Sequence, residues 1–208
     1  MAGLAVCTLA ACGGSEKAAT QTQTRTQTQA QTATTPCPRT GKQVTFPLLD
    51  KSKAYKVNVL TNLGSFEIRL DVGDSPCTTS SFAALVRKRF FDGTLFHRIV
   101  PRFVIQGGDP TATGRGDPGY SVRDVPPRNS LYTEGVVAMA KSPAEPSGTS
   151  GSQFFVVTAV NAGLPPEYAI LGVVTKGLKV VRKIGKLGNP VIEKPMRRVV
   201  VLRMVVTP

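Results

Sequence analysis

Short apolar runs, separated by residues that favour turns, are the feature that most restricts the fold of this chain. The 208 residues include 20 glycines and 16 prolines, and they contain no tryptophan. Glycine and proline occupy turns and interrupt helices, so this composition favours many short strands over a long helical bundle. The length and the hydrophobic fraction of 41% fit a globular protein with one substantial core.

Eight runs are predicted to form β-strands, because they are short, apolar and bounded by turn residues. The first two runs are separated by Asn62-Leu63-Gly64, which predicts a β-hairpin. The predicted strands cover residues 55–61, 65–70, 95–100, 103–106, 135–140, 153–158, 170–174 and 199–206. The long segment 110–131 is rich in Gly, Pro, Arg and Asp, and we expect it to form an ordered functional loop.

Two helices are predicted at separate points of the chain. Ser75 suits the N-cap and Pro76 the first turn of a helix that ends near Phe91, and a second helix is predicted over residues 177–184. Many short strands with two separated helices favour a mainly β fold. We predict a closed antiparallel eight-stranded β-barrel capped by the two helices, because closure removes exposed strand edges. Periodicity alone leaves a β-sandwich open.

The N-terminal residues 1–11 form an uncharged, mostly apolar segment. It is shorter than the roughly 20 residues of a membrane-spanning helix, so we interpret it as an export signal peptide. Leu9-Ala10-Ala11-Cys12-Gly13 resembles the lipobox of bacterial lipoproteins, which predicts lipidation of Cys12. No Lys or Arg precedes the apolar segment, so we expect the true start codon to lie further upstream. The alternative is a buried N-terminal segment with an incidental cysteine.

Residues 12–41 are predicted to be a disordered tether that ends at a folded domain over residues 42–208. Residues 20–35 are nearly all Thr and Gln, and such a polar tract cannot bury enough apolar surface to fold. The predicted location is extracytoplasmic, either anchored to the bacterial cell membrane through Cys12 or secreted. An oxidising compartment would allow Cys37 and Cys77 to form a disulfide, but two free thiols are equally compatible with the sequence.

The chain is strongly basic, with a formal net charge of +13. Such a charge attracts any acidic surface at low salt, but it does not confer specificity. No aromatic stacking motif, zinc-ligand spacing or helix-turn-helix pattern accompanies it, so a specific nucleic-acid partner is not predicted. Next to anionic lipid the basic surface would reinforce a single lipid anchor. A basic, adhesin-like surface protein is a weaker alternative.

Two motifs carry the most specific information in the sequence. Residues 96–111 read FHRIVPRFVIQGGDPT, and residues 147–155 read SGTSGSQFF, with Met139-Ala140 between them. In this order the motifs resemble the two signatures of the cyclophilin-type peptidyl-prolyl cis-trans isomerases, and the resemblance extends over roughly residues 54–207. It implies an enzyme that acts on proline-containing polypeptides, as a monomer. For an exported chain, it implies assistance to the folding of exported proteins.

The resemblance also implies the roles of individual residues. Arg98 is the main catalytic candidate, and Gln106 is expected to bind the substrate backbone or carbonyl. The backbone around Lys141 is expected to pair with the extended peptide. The remaining residues implied to bind substrate are Phe103, Val104, Met139, Ala140, Gln153, Phe155, Leu164 and Tyr168. Among these, Phe103, Met139, Phe155 and Leu164 are expected to form the apolar pocket for proline.

The chemistry of the reaction fits these residue types. Rotation about the amide is opposed by about 18 to 20 kcal/mol, because the C–N bond has partial double-bond character. Catalysis requires a site that favours the twisted amide, and it needs no proton transfer or nucleophile. We therefore do not expect His97, the one histidine, to act as a general base. One histidine and four scattered cysteines provide no zinc-ligand spacing, so neither a metal nor a cofactor is predicted.

The sequence departs from the best-known eukaryotic pattern at three places. Gly163 replaces a tryptophan at the rim of the proline pocket, Tyr168 replaces a histidine, and Lys141-Ser142 replaces the usual pair after Met-Ala. These changes affect the expected binding of cyclosporin-like ligands more than they affect catalysis. The alternative function is a non-catalytic module on the same fold that binds proline-containing peptides or acts as a chaperone.

Overall fold

The computed structural model describes Gly3 and residues 37–208. The predicted signal peptide (apart from Gly3), the candidate lipidation site Cys12 and the tether up to residue 36 therefore lie outside the described residues. Neither helix in the described part of the chain has the length and apolar character that crossing a bilayer would require.

The described residues form eleven strands and two helices. The strands are β1 (Arg39–Gly41), β2 (Lys56–Thr61), β3 (Gly64–Leu70), β4 (Arg98–Val100), β5 (Val104–Gly107), β6 (Tyr120–Arg123), β7 (Val136–Met139), β8 (Thr149–Ser150), β9 (Phe154–Val157), β10 (Ile170–Lys176) and β11 (Val201–Thr207). The helices are α1 (Pro76–Arg87) and α2 (Leu178–Gly185). Each of the eight predicted strands overlaps an observed one, and both predicted helices are present.

Eight strands form one antiparallel sheet in the order β11-β2-β3-β10-β7-β9-β5-β4. The prediction of a closed barrel was wrong, because the edge strands β11 and β4 do not pair with each other and the sheet is a curled half-barrel. A few backbone hydrogen bonds, such as that from the Phe96 N–H to the Val199 carbonyl at 3.0 Å, tether the chain before β4 to the region of β11. They do not amount to a strand ladder.

The main core lies between the curled sheet and the two helices. Strands β2 and β3 alternate buried and exposed residues, as expected for strands with one face on the core. Phenylalanines join α1 to the sheet: the Phe154 ring meets Phe82 at 5.5 Å and Phe96 at 5.9 Å, both nearly edge to face. Such aromatic pairs contribute about 0.5–1.5 kcal/mol beyond the burial of their area.

Helix α1 begins as predicted and ends earlier than predicted. Ser75 occupies the N-cap position, but its side chain makes no capping hydrogen bond. The helix ends at Arg87, because Arg89 adopts a left-handed backbone with a φ of 58° and reverses the chain. Phe91 still packs in the core from the following turn, which is why the apolar pattern continued beyond the helix.

A second, three-stranded sheet in the order β1-β6-β8 was not predicted. Strand β6 lies inside the segment 110–131 that we expected to be a loop, and β1 lies inside the expected tether. Cys37 and Cys77 form a disulfide that links the chain before β1 to α1. The packed structure therefore begins upstream of residue 42, where the sequence placed the start of the domain.

Candidate active site

The hairpin formed by β4 and β5 places the two candidate catalytic residues side by side. Arg98 and Gln106 are register partners across this pair, and Gln106 is in turn the partner of Phe155 on β9. Side chains of directly opposed residues lie on the same face of a sheet. The next residues along these two strands, Ile99 and Ile105, face the opposite side of the sheet and are fully buried in the core. Strand pairing therefore produces an Arg–Gln–Phe row.

This row forms part of the wall of a cavity of about 290 Å³, which we call the slot. The slot brings together both candidate catalytic residues and most of the predicted substrate-binding residues. It is lined by Arg98, Phe103, Val104, Gln106, Ala140, Lys141, Phe155, Leu164 and Tyr168. The cavity is large enough for a small ring to contact its apolar members, while the Arg98 guanidinium and the Gln106 amide offer hydrogen-bond donors and an acceptor from the same wall.

Met139 is the exception among the residues predicted to form the proline pocket. It is fully buried in the main core and does not line the slot. Ala138 pairs with Phe155 and lies in the same apolar cluster, on the face of the sheet that carries the slot. Side chains alternate along β7, so Met139 faces the opposite side. The assignment of Met139 to the pocket was therefore wrong, and its neighbour Ala140 lines the slot instead.

The guanidinium of Arg98 is held from three sides. Its Nε donates to the Glu193 carboxylate at 2.7 Å, and its Nη1 donates to Gln106 Oε1 at 3.4 Å. Its Cζ lies 6.0 Å from the centroid of the Phe103 ring. Sequence reasoning missed Glu193, because it lies outside both motifs and is 95 residues from Arg98 along the chain.

Gln106 and Gln153 form a hydrogen-bonded pair behind Arg98. Gln106 Nε2 donates to Gln153 Oε1 at 3.0 Å, and Gln153 Nε2 donates to the carbonyls of Gly114 and Gly116, both at 3.0 Å. These bonds fix the orientation of the Gln106 amide, so its oxygen faces Arg98. Gln153 itself lines a neighbouring cavity of about 510 Å³ that shares Gln106 with the slot.

Asp109, the last residue of the QGGD motif, orders the loop that binds Gln153. Its buried carboxylate accepts hydrogen bonds from the N–H groups of Thr111 and Gly114, at 2.6 Å each, and of Gly116 at 3.1 Å. Burial alone would raise the pKa of Asp109, but these hydrogen bonds and that of the Thr111 hydroxyl outweigh it and lower the pKa to about 2. The charged carboxylate thus holds the loop whose carbonyls bind Gln153.

Lys141 and Tyr168 form another part of the slot wall. The Lys141 side chain is only 4% exposed, and its Nζ lies 3.1 Å from Glu167 Oε2 and 5.6 Å from the centroid of the Tyr168 ring. Tyr168 meets Phe155 edge to face at 5.5 Å. At Gly163, where the best-known eukaryotic pattern has a tryptophan, a Cβ would meet nothing within 4 Å. The rim is open at that position.

His97 does not line the slot. It contributes to a neighbouring cavity that shares Arg98 and Gln106 with the slot and is also lined by Glu193. Burial lowers the pKa of His97, and the nearby Asp109 carboxylate only partly opposes that effect. Within residues 37–208, no three His, Cys, Asp or Glu side chains are grouped so that they could hold a metal ion.

The fold and the slot together are those of an isomerase of X-Pro bonds, because the slot combines apolar and aromatic side chains with a fixed guanidinium and an amide in one wall. Comparison with known proteins places the chain within one family. Residues 56–206 match the family model described as cyclophilin type peptidyl-prolyl cis-trans isomerase. The chain belongs to this family and is a peptidyl-prolyl cis-trans isomerase.

Relatives of this chain match it over most of the domain. The peptidyl-prolyl cis-trans isomerase CYP18-2 of Arabidopsis thaliana is 36% identical over 152 residues, which cover 71% of this chain and 91% of that protein. The peptidyl-prolyl cis-trans isomerase-like 1 of Neurospora crassa is 37% identical over 156 residues, covering 72% and 93% respectively. Both of these relatives come from eukaryotes.

Solved structures show the same fold. A cyclophilin type peptidyl-prolyl cis-trans isomerase of Cryptosporidium parvum is 28% identical, with a TM-score of 0.69 over 75% of this chain and 99% of that one. A second crystal structure of the same protein, determined in the presence of the dipeptide Ala-Pro, has a TM-score of 0.66. The prediction of the family and of its enzymatic activity is confirmed.

Proposed function

We propose that this isomerase catalyses rotation about X-Pro bonds through a hydrogen bond from Arg98 to the proline nitrogen, while the slot holds the pyrrolidine ring. The observation that carries this proposal is that Arg98, Gln106, Phe103 and Phe155 all line one cavity. Their positions in that wall allow a guanidinium to meet the nitrogen of a bound proline.

The mechanism depends on what changes between the planar and the twisted amide. In the planar form the nitrogen lone pair is delocalised, and in the twisted form it localises on nitrogen and becomes a hydrogen-bond acceptor. A donor placed there binds the twisted form more tightly than either planar form, which is the requirement for catalysis. Arginine suits this role, because it remains protonated at all relevant pH values and its donors lie in a rigid plane.

Other residues of the slot have supporting roles in this proposal. Phe103, Phe155 and Leu164 provide apolar surface for the pyrrolidine ring, together with Val104, Ala140 and Tyr168. Gln106 binds the substrate backbone, and the backbone at Lys141 pairs with the extended peptide. A millionfold acceleration requires about 8 kcal/mol from these contacts together.

An isomerisation assay on an X-Pro peptide, with the full chain, tests the role of Arg98. We expect Arg98→Ala to lower kcat/KM at least about a hundredfold, which corresponds to about 2.7 kcal/mol of lost transition-state stabilisation. Arg98→Lys keeps the charge but lacks the planar fork, so we expect it to recover only a small part of the activity. Arg203→Ala, on an exposed position of β11, is the matched control. Equal activity of Arg98→Ala and Arg203→Ala would contradict the proposal.

We also propose that the protein works outside the cytoplasm of a bacterium, where it assists the folding of exported proteins as a lipid-anchored monomer. The lipobox-like segment around Cys12 supports the anchor. The disulfide between Cys37 and Cys77 supports an oxidising compartment, since disulfides persist there and are rare in reducing ones. The net charge of +13 supports a position next to anionic lipid.

A further inference from the structure

We propose that Glu193 is a positioning residue that holds the Arg98 guanidinium in the orientation that isomerisation requires. This inference rests on the proposed role of Arg98. Glu193 Oε2 lies 2.7 Å from Arg98 Nε, and it is the shortest polar contact that Arg98 makes within residues 37–208. Glu193 belongs to neither signature motif, and it does not line the slot.

The donors of Arg98 divide into two groups. The Glu193 carboxylate accepts a hydrogen bond from Nε–H, and Gln106 Oε1 accepts a long one of 3.4 Å from Nη1. In the described part of the chain, Nη2 makes no hydrogen bond to protein. Because the guanidinium is a rigid plane, a short contact at Nε fixes the direction of both terminal nitrogens. Glu193 therefore restrains the orientation of Arg98 while leaving terminal donors for a substrate.

The segment that carries Glu193, residues 188–196, is docked on the strand that carries Arg98. We call this segment the strap. The backbone N–H of Ile99 on β4 donates to the Glu193 carbonyl at 2.9 Å, and the Glu193 N–H donates to the Asn189 carbonyl at 2.9 Å. A Cβ on Gly188 would lie 2.3 Å from the Ile99 carbonyl, so the strap approaches β4 closely. Backbone contacts between the strap and β4 therefore place Glu193 next to Arg98.

The backbone of Glu193 itself is unusual. Its φ is 55°, in the left-handed region that a residue with a Cβ enters rarely and at a cost. Glycine or asparagine would occupy this position more easily. Arg89, Arg102 and Ala112 share this conformation, and at Glu193 it is the conformation from which the side chain reaches Arg98.

A stability role predicts a different outcome from a positioning role. The two side chains are 34% and 44% exposed, and ion pairs at this exposure contribute little to stability. The removal of the Glu193 carboxylate should therefore barely change the melting temperature. It should lower kcat, because Arg98 then samples orientations that do not reach the proline nitrogen.

The test uses the full chain and four substitutions. Glu193→Gly and Glu193→Asn remove the reach to Arg98 but suit the left-handed backbone, whereas Glu193→Gln keeps an acceptor at the same distance. Val191→Ala, an exposed position of the same strap, is the matched control. We expect kcat of the Gly and Asn variants to fall about tenfold, the effect typical of a lost hydrogen bond to a charged group, with KM changed less than about twofold. We expect Glu193→Gln to retain most of the activity.

A second readout is independent of activity. In an NMR spectrum, the Arg98 Nε–H signal, assigned by its loss in Arg98→Lys, should be protected from exchange with water in the wild type and in Val191→Ala. It should lose this protection in Glu193→Gly and Glu193→Asn. Protection that persists in both variants, or kcat values that stay at the wild-type level, would overturn the inference.

The two proposals fail differently. If Arg98→Ala is inactive while Glu193→Gly keeps the wild-type kcat, the positioning role fails and the catalytic role of Arg98 stands. If Arg98→Ala is fully active, both fail. Should Glu193→Gly alone lower the melting temperature, the Asn and Gln variants and the NMR signal still decide the matter.

Discussion

At the scale of single residues, the site depends on a chain of hydrogen bonds that runs from a buried carboxylate to the guanidinium. Asp109 holds the N–H groups of Gly114 and Gly116, whose carbonyls accept from Gln153. Gln153 accepts from Gln106, which accepts from Arg98. Each hydrogen bond orients the next group, so Asp109, which does not line the slot, affects the orientation of Arg98, which does.

The state of Asp109 should therefore govern stability at acid pH. Its pKa falls from an ordinary 3.8 to about 2 in the folded protein, so its stabilising effect is complete above about pH 4 and is lost as the pH falls through 2. We expect Asp109→Asn to reduce the free energy of unfolding at pH 7 by about 2 kcal/mol. Urea unfolding at several pH values should show this difference shrinking between pH 4 and 2. A difference that stays constant would contradict the assignment.

At the scale of secondary-structure elements, the second sheet provides helix α1 with a capping side chain. The Ser75 side chain does not cap the helix, but the Asp124 carboxylate, just after β6, accepts from the Thr78 N–H at 2.6 Å. A carboxylate at this end also interacts favourably with the helix dipole. The unpredicted sheet β1-β6-β8 therefore helps to stabilise the N-terminus of the helix that packs against the phenylalanines of the main core.

This arrangement predicts which residue caps α1. We expect Asp124→Ala to lower the free energy of unfolding by about 1 kcal/mol, the usual cost of a lost N-cap. Asp124→Asn keeps an acceptor and should cost less. Ser75→Ala, at the N-cap position itself, should cost least, because its hydroxyl makes no capping bond. Thermal or urea unfolding of the three variants measures this order, and a larger effect of Ser75→Ala would contradict it.

At the scale of the whole molecule, a basic isomerase domain is joined to an N-terminal segment of a different composition. The disulfide between Cys37 and Cys77 attaches the chain just before β1 to α1. In the sequence, the 24 mostly polar residues 13–36 separate the proposed lipid anchor at Cys12 from this disulfide. Together they would hold the domain close to a membrane whose anionic lipids attract its positive charge.

The anchor is tested by expressing the full chain in a bacterium that processes lipoproteins. We expect mass spectrometry of the membrane fraction to find a lipidated N-terminal peptide that begins at Cys12. Cys12→Ser should move the protein out of that fraction, with high salt releasing any remainder held by charge alone. An unmodified N-terminus upstream of Cys12 in the wild type would refute lipidation.

Local patterns allowed much of the fold to be predicted. The hairpin of β2 and β3 follows from alternation around Asn62-Leu63-Gly64, and the start of α1 follows from Pro76. The slot residues of the first motif, such as Arg98 and Gln106, were predicted because this contiguous motif resembles the cyclophilin signature, and the pairing of β4 with β5 then places them side by side. The second motif added Phe155 in the same way.

The sequence by itself determined the family, the positions of the main strands along the chain and the identity of most slot residues, because contiguous motifs and short apolar runs carry that information. Tertiary structure decided the rest. The Glu193 contact, the inward face of Met139, the open edge between β4 and β11 and the Cys37–Cys77 disulfide all join or orient residues far apart in sequence. Such contacts depend on distances between packed side chains, which no local pattern of residues encodes.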